Sequence, residues 1–475
     1  MIDGEDGFQH SLEVIGSVHS PSRLDDMTLH KIIKQAFEWP TNRRVTPTTI
    51  FWKLLLRLLS TATLASALTL AAAMSPSERQ RQLDSFDHVW QAIHDKHWET
   101  KPSGLDWDQV RAELRPKAEK ATTTAEVRDT IRDMLKRLKQ SHFHLISAEA
   151  MGALNDTFYG DGDPGFEAQV IHSEALVTRV EPGSPVKLGW KVLAVNGTEL
   201  AQRIAAVEAA YAQTTELGLR LHQMLQARLS GEPGGASTME FQNEANRQVT
   251  LKIAFHKSAG KQATFGNLPP TPVVMEAKQL EGGTIGYVRF SLFLDPVRLV
   301  QTFSAAVQNC LKCDGFIVDV RGNPGGIGIM ASGVAGWFVS QDNKKLGTMY
   351  MRDNTLNFVV NPRPRAFQGP LAILVDEASA STSEIFAGGL QDLHRARIFG
   401  AKTAAAALPS ILERLPNGDG FQYAIANYIS DGGAALEGKG VQPDEPVQMT
   451  RATLDRKSTR LNSSHPRLSR MPSSA

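Results

Sequence analysis

The chain has 475 residues, enough for two or three domains and a large buried core. Its 51 lysines and arginines nearly balance its 50 aspartates and glutamates, and no basic stripe with interleaved aromatic residues occurs. These features exclude nucleic acid as an expected partner, and a hydrophobic fraction of 41% fits a soluble globular protein.

The N-terminal 74 residues contain two segments that we exclude from the fold. Residues 1–50 show no sustained periodicity and are interpreted as an uncertain N-terminal extension. Residues 51–74 place basic positions before an apolar run and end near the A-x-A site at 71–73, the pattern of a secretory signal peptide. We therefore expect a periplasmic or secreted protein that meets a membrane only through this segment. Because the run is near spanning length, an uncleaved membrane anchor is the alternative.

Residues 80–150 carry apolar positions at helical spacing and predict a small N-terminal helical domain. The second of its helices is expected to stop near Pro116, since proline interrupts helical hydrogen bonding. Thr123 with Glu126 forms the capping box of the next helix.

Residues 160–257 change to short strands separated by turns. The segments E-P-G-S-P at 181–185 and V-N-G at 195–197 resemble the turns of a PDZ domain. That resemblance implies a groove that adds a peptide as a β-strand and captures its C-terminal carboxylate. The link between the two turns is shorter than usual and the helical stretch at 200–229 is longer. A PDZ-like module with altered or lost peptide binding is therefore the alternative.

Residues 270–450 alternate between strand and helix patterns, which predicts an α/β sheet with crossover helices. Active groups of such sheets lie at the C-terminal ends of the strands. Within this region Cys310 and Cys313 form one C-x-x-C. It lacks the four ligands that zinc needs and lies at the wrong end of a helix for a redox motif, so a structural pair is expected.

A serine at a strand-to-helix junction carries the first chemical signal. The apolar run at 371–375 leads to Ser381, and a helix pattern begins directly after it. The free N–H groups and the positive dipole end of that helix would stabilise an oxyanion beside the serine. A serine that simply caps the helix is an equally good explanation of this segment taken alone.

Two further segments accompany the serine. A buried strand pattern at 315–321 runs into the glycine-rich turn 322–326, and the loop 436–444 contains one carboxylate, Glu437. Together the three motifs D-x-R-x-N-x-G-G, S-A-S-x-S-E-I-F-A-G and E-G-x-G-V-x-P-D resemble the S41 family of serine peptidases, which includes the tail-specific (C-terminal processing) and tricorn-core proteases. The resemblance covers about residues 83–450.

The resemblance implies a multidomain protein of mixed α+β and α/β class. Its parts are the helical domain, the PDZ-like β module and a ClpP/crotonase-like α/β catalytic core at 270–450. It further implies a serine endopeptidase that hydrolyses proteins or peptides through an acyl-enzyme on Ser381, with no metal and no cofactor.

The catalytic base differs between branches of this family. The tail-specific branch uses a lysine 25 positions after the serine, where this chain has Ala406, and the nearby Lys402 is only a reserve candidate. The tricorn-like branch uses a serine–histidine pair, which Ser141 and His142 match. His142 would then be the base. The alternative for it is a histidine that favours a helix C-terminus, and His144 is a second reserve base.

The same resemblance assigns supporting roles. Ser141 and Glu437 would hold the imidazole in one tautomer and stabilise its charged form, although Glu437 could instead be a surface carboxylate paired with Lys439. The oxyanion would be bound by the N–H of Thr382 together with that of Gly325 or Gly326.

One departure from the family pattern bears on activity. Relatives in the tricorn-like branch often carry T-A-G where this chain has Ala405 as the third residue. If that glycine needs a positive φ, alanine costs about 1 kcal/mol. A catalytically impaired peptide-binding protein on the same fold is therefore an alternative, as is an esterase that uses the same chemistry.

Residues 455–475 lack an apolar pattern and are expected to form a disordered tail.

Overall fold

The computed structural model describes residues 74–149, 162–212, 214–265 and 268–454, all of which belong to the unit formed by residues 73–475. The interpretations of the N-terminal extension, of nearly all of the predicted signal segment and of the tail at 455–475 lie outside the described residues. Within those residues, no helix has both the length and the apolar character that a membrane span requires.

The helical region begins the described chain. It comprises α1 (Pro76–Lys96), a 3₁₀ turn (Pro102–Gly104), α2 (Trp107–Lys120), α3 (Thr124–Lys136) and the short strand β1 (His144–Ile146). The predicted capping box is present, because the Thr123 side chain accepts from the Glu126 N–H while the Glu126 carboxylate accepts from the Thr123 N–H. Side chains spaced along each helix face a common core, as the apolar stripes predicted.

The expected stop near Pro116 is wrong, since α2 continues through it to Lys120. Leu114 and Ala118, which flank the proline, are both buried. Their packing keeps the chain helical despite the hydrogen bond that proline cannot donate.

The segment 162–257 forms a β module around its own apolar core. It contains β2 (Gly162–Asp163), β3 (Phe166–Ile171), β4 (Glu174–Val180), β5 (Lys191–Val195), β6 (Thr198–Glu199), α4 (Leu200–Tyr211), α5 (Leu217–Leu229), β7 (Ala236–Gln242), β8 (Gln248–Ala254) and β9 (His256–Lys257). The sheet order is β3-β4-β5-β7-β8, with β6 beside β5, so β3 is an edge strand of this sheet. The helical stretch predicted at 200–229 consists of the two helices α4 and α5.

A mixed, largely parallel sheet forms the α/β core, as the alternating pattern predicted. After the hairpin β10 (Lys261–Phe265) and β11 (Leu268–Val273), the core contains β12 (Met275–Leu280), a 3₁₀ turn (Glu281–Gly283), β13 (Ile285–Phe290), α6 (Pro296–Asn309), β14 (Gly315–Asp319), α7 (Ile329–Ala335), β15 (Lys345–Tyr350), β16 (Thr355–Val359), β17 (Leu371–Val375), α8 (Thr382–Asp392), β18 (Arg397–Gly400), β19 (Ser410–Arg414), β20 (Gly420–Ala424), β21 (Asn427–Ser430) and β22 (Glu445–Pro446). The main sheet has the order β12-β13-β14-β17-β18-β22 and is parallel except for the β12–β13 pair.

Two neighbouring strands of this sheet point toward the same edge. β14 and β17 are parallel partners, with Phe316 opposite Leu371. The glycine-rich turn at 322–326 follows β14 and Ser381 follows β17, so both emerge side by side at the C-terminal edge.

The helical region joins the α/β core through strand pairing. β1 pairs antiparallel with β20, His144 lying opposite Gln422. The next strand, β21, pairs instead with β15. The helices and β20 share one apolar core that includes Phe421 and Tyr423. This packing fixes the segment that carries Ser141 and His142.

Cys310 and Cys313 are joined by a disulfide at the C-terminal end of α6, with 4.9 Å between their Cα atoms. The pairing agrees with the structural role expected from the sequence.

Candidate active site

Ser381 occupies the junction between β17 and α8 in an uncommon backbone conformation, with φ 55° and ψ −116°. Its N–H donates to the carbonyl oxygen of Ala406 at 2.8 Å and to Oε2 of Glu384 at 3.0 Å. Ser381 is also the N-cap residue of α8 and forms a capping box with Glu384. Ser381 therefore begins the helix while it remains partly exposed at the sheet edge.

The structure brings Ser141, His142 and Glu437 together. Ser141 Oγ lies 2.6 Å from His142 Nδ1 and 2.8 Å from Oε2 of Glu437. Oε1 of Glu437 also accepts from the Ser141 N–H at 2.8 Å. Glu437 lies 295 positions from His142 in sequence, and the hydroxyl of Ser141 connects its carboxylate to the imidazole.

This chain of contacts sets the tautomer of His142. A hydroxyl has one proton to donate, and Ser141 gives it to Glu437 when that carboxylate is ionised. Ser141 Oγ must then accept from Nδ1–H of His142, which leaves the lone pair on Nε2. A neutral ring of this form can accept a proton at Nε2.

Ser381 and Glu437 meet the same peptide group, the one that links Ala406 to Ala407. Its carbonyl oxygen accepts from Ser381, while its N–H donates to Oε2 of Glu437 at 3.0 Å. No hydrogen bond joins Ser381 Oγ to His142 in the described part of the chain. Ser381 and the chain of contacts from Glu437 to His142 are therefore connected through this one peptide group.

Burial shifts the acid–base behaviour of these groups. Desolvation lowers the pKa of His142 to about 4, and the nearby Glu216 carboxylate opposes this shift. Burial raises the pKa of Glu437, against the hydrogen bonds that it accepts from Ser141 and Ala407. The imidazole is consequently neutral at neutral pH.

The backbone N–H groups predicted to bind an oxyanion belong to the glycine-rich turn and to the start of α8. The Gly325 N–H already donates to Oδ1 of Asn323 at 2.9 Å, which leaves the Gly326 N–H as the available donor in this turn. The first helical residue, Thr382, offers the second N–H. A Cβ on Gly325 would lie 2.9 Å from the Thr382 nitrogen and 2.8 Å from the Ser381 Cβ, so only glycine leaves this space open.

Glu384 is a residue of the site for which sequence reasoning assigned no role. It is fully buried, and besides the Ser381 N–H it accepts from Thr403 Oγ1 at 2.6 Å, the Ala405 N–H at 2.8 Å and the Ala406 N–H at 3.0 Å. Burial raises its pKa to about 7, although these donors oppose the shift. The S-x-x-E spacing of Ser381 and Glu384 is the sequence signal for this contact, because it places a carboxylate beside the serine N–H.

Ala405 has a φ of 58°, the left-handed region in which glycine is favoured. The sequence predicts strain at this alanine if its φ is positive. The condition is met, and the Glu384 carboxylate holds the strained residue through its N–H.

The two reserve bases lie in different surroundings. Lys402 is exposed and lines a cavity of about 470 Å³ together with Glu377 and Thr403. His144 Nε2 lies 3.0 Å from Oε1 of Glu216 and 2.8 Å from Nη2 of Arg220. Glu216 and Arg220 belong to the β module, and nothing in their local sequence indicated a contact with this segment.

Within the described residues, no group of three or more potential metal ligands occurs.

Comparisons with known proteins identify related peptidases. The model of peptidase family S41 matches residues 284–447, and the tricorn protease C1 domain matches residues 79–136. The carboxyl-terminal-processing protease of Picosynechococcus sp. (strain ATCC 27264 / PCC 7002 / PR-6) is 24% identical over 400 residues, which cover 80% of this chain and 87% of the relative. The chloroplastic C-terminal processing peptidase of Tetradesmus obliquus is 25% identical over 382 residues, 76% of each chain.

Solved structures show the same fold. The photosystem II D1 C-terminal processing protease aligns with a TM-score of 0.52 at 21% identity, covering 79% of this chain and 94% of that one. Mature CPAF aligns with a TM-score of 0.52 at 13% identity, covering 81% and 96%.

The motifs and these matches define the protein as a serine-type peptidase, whose substrates are proteins or peptides. Within that class, the chain resembles peptidase family S41, as the three motifs indicated, and the relatives that it matches include carboxyl-terminal-processing proteases.

Proposed function

We propose that the protein is an endopeptidase in which Ser381 is the nucleophile and His142 the general base. Nε2 of His142 takes the Ser381 proton while Oγ attacks the peptide carbonyl, and the N–H groups of Gly326 and Thr382 bind the oxyanion. The imidazolium then protonates the leaving amine, and water hydrolyses the acyl-enzyme.

Glu437 and Ser141 support the base in this proposal. The Glu437 charge, relayed through Ser141 Oγ, stabilises the imidazolium that forms during attack. The observation that carries the proposal is the short Glu437–Ser141–His142 chain, with Glu437 bound to the same peptide group as Ser381.

Substitution of the serine and of the two possible bases tests the mechanism by peptide turnover. Ser381→Ala should reduce kcat on the order of 10⁶-fold with unchanged folding, the loss seen when the triad serine of subtilisin is removed. His142→Ala should reduce kcat by a similar factor, whereas Lys402→Ala should leave kcat nearly unchanged, although its place in the cavity lining allows a change in KM. Full activity of Ser381→Ala would exclude the nucleophile, and a large loss only in Lys402→Ala would assign the base to that lysine instead.

We further propose that the β module is PDZ-like and receives the C-terminus of a substrate, in keeping with the carboxyl-terminal processing named for the relatives. Its edge strand β3 and helix α5 both line the cavity of about 470 Å³. A periplasmic or secreted location follows from the signal pattern at 51–74.

The strained Ala405 favours a second candidate, a binding protein that has lost turnover. The two functions differ in one measurable property. A protein that binds peptides with intact affinity but does not hydrolyse them, and does not react at Ser381, would establish the second candidate.

A further inference from the structure

The β module reaches the histidine segment through the residue that precedes helix α5. Glu216, only 7% exposed, directs Oε1 toward His144 Nε2 at 3.0 Å and toward the His142 backbone nitrogen at 3.5 Å. Its other oxygen accepts from Nη2 of Arg220, one turn further along the helix, at 2.9 Å. The module thus places a buried carboxylate beside the base candidate.

The same helix forms one wall of the cavity between the β module and the α/β core. Leu217, Gly218, Leu221 and His222 line it from α5, and Gln169 lines it from β3. A Cβ on Gly218 would lie 2.5 Å from the Cβ of Glu377, so the helix contacts the core with no spare room. A shift of α5 at the cavity would therefore move Glu216 as well.

We propose that Glu216 is a positioning residue for His142, through which helix α5 couples the β module to the catalytic base. This role rests on the proposed function of His142. The carboxylate orients the backbone of the histidine segment and supplies a negative charge that favours the imidazolium formed during attack. The residue acts on the base and makes no contact with substrate.

The two charges at the start of α5 act on His142 with opposite sign. The Glu216 carboxylate raises the pKa of His142, and the Arg220 guanidinium lowers it. Glu216 supplies its charge at neutral pH because His144 and Arg220 lower its pKa, which burial alone would raise. Removal of either charge should consequently shift the pKa of His142 in a defined direction.

Titration of the His142 ring by NMR tests this role directly. The Ser381→Ala protein serves as the background, and the loss of one signal in His142→Ala assigns the ring. Glu216→Gln should lower the pKa of His142, whereas Arg220→Gln should raise it. Glu244→Gln is the matched control, since that carboxylate bonds Trp190 and Lys187 elsewhere in the module, and it should leave the titration unchanged.

Turnover in the otherwise wild-type protein provides the second readout. Glu216→Gln should lower kcat between about 10- and 100-fold, the range expected for a misplaced catalytic group, with little change in KM. An unchanged His142 titration in Glu216→Gln, whatever its melting temperature, would overturn the positioning role. The NMR result does not depend on turnover, so it is distinguishable from failure of the proposed mechanism.

Discussion

Three residues of the candidate site have a positive φ although none is glycine. His142, Ser381 and Ala405 have φ values of 63°, 55° and 58°. Such conformations cost about 1–3 kcal/mol each and persist where surrounding contacts determine them. Here hydrogen bonds hold each residue: Ser141 and Glu216 at His142, Ala406 and Glu384 at Ser381, and Glu384 at Ala405.

Replacing Ala405 by glycine should relieve one of these strains. We expect the free energy of unfolding of Ala405→Gly to rise by about 1 kcal/mol, because glycine adopts a positive φ without steric cost. Chemical denaturation measures the change. Ala404→Gly is the control: its φ is not positive, so glycine should destabilise by about 1 kcal/mol. A loss of stability in Ala405→Gly would contradict the account of strain.

The buried carboxylate of Glu384 should make stability depend on pH in a predictable direction. Burial raises its pKa to about 7 in the folded protein, above the unfolded value, so folding favours the protonated acid. Its contribution to stability is present below the unfolded pKa and is lost as pH rises through about 7.

The pH dependence can be measured as the difference between wild type and Glu384→Gln. The substitution should cost about 1–3 kcal/mol at about pH 5, because the carboxamide places an NH₂ group against backbone donors. The cost should shrink as the pH is raised past 7. A cost that increases with pH would show that the four donors outweigh burial and hold the group ionised.

At the scale of elements, the site depends on how helix α5 of the β module contacts the α/β core. Gln169 Nε2 donates to Asp376 Oδ2 at 2.7 Å, and Arg289 bonds both oxygens of Glu167 at 2.6 and 2.7 Å. Gly218 allows the helix backbone to approach the loop after β17. The module is therefore packed against the strand end that leads to Ser381.

Gly218→Ala should separate these elements. Its Cβ would lie 2.5 Å from the Glu377 Cβ and 2.8 Å from the Glu377 carbonyl oxygen, so we expect a cost of about 1–3 kcal/mol and a lower kcat. Thermal unfolding and turnover measure both effects. Gly333→Ala in α7 is the control, since no atom lies within 4 Å of its Cβ and stability should rise slightly. Equal melting temperatures and equal kcat values in the two variants would exclude the close contact between Gly218 and Glu377.

At the scale of the whole molecule, the sequence predicted the order of the parts better than their contacts. The alternation of patterns after residue 270 predicted the α/β core, since buried parallel strands and crossover helices leave local signals. The resemblance of the motifs assigned Ser141, His142 and Glu437 to one site, and the structure shows that they are in contact. The continuation of α2 through Pro116 was missed because tertiary packing, which buries Leu114 and Ala118, decided it.

The roles of Glu216 and Glu384 required coordinates for a different reason. Glu384 has a local signal, but only the folded chain shows that its other donors come from residues 403–406. Glu216 lies 74 positions from His142, and no pattern of charge or spacing marks a contact that depends on how two domains pack.

In the proposed mechanism, Ser381 is an activated nucleophile whose base is His142. Fluorophosphonate labelling, with identification of the modified residue by mass spectrometry, tests this assignment. We predict one adduct on Ser381 in the wild-type protein, none in Ser381→Ala, a strongly slowed reaction in His142→Ala and an unchanged rate in Lys402→Ala. A wild-type protein that is folded but unlabelled, or labelling of equal rate in His142→Ala, would contradict it.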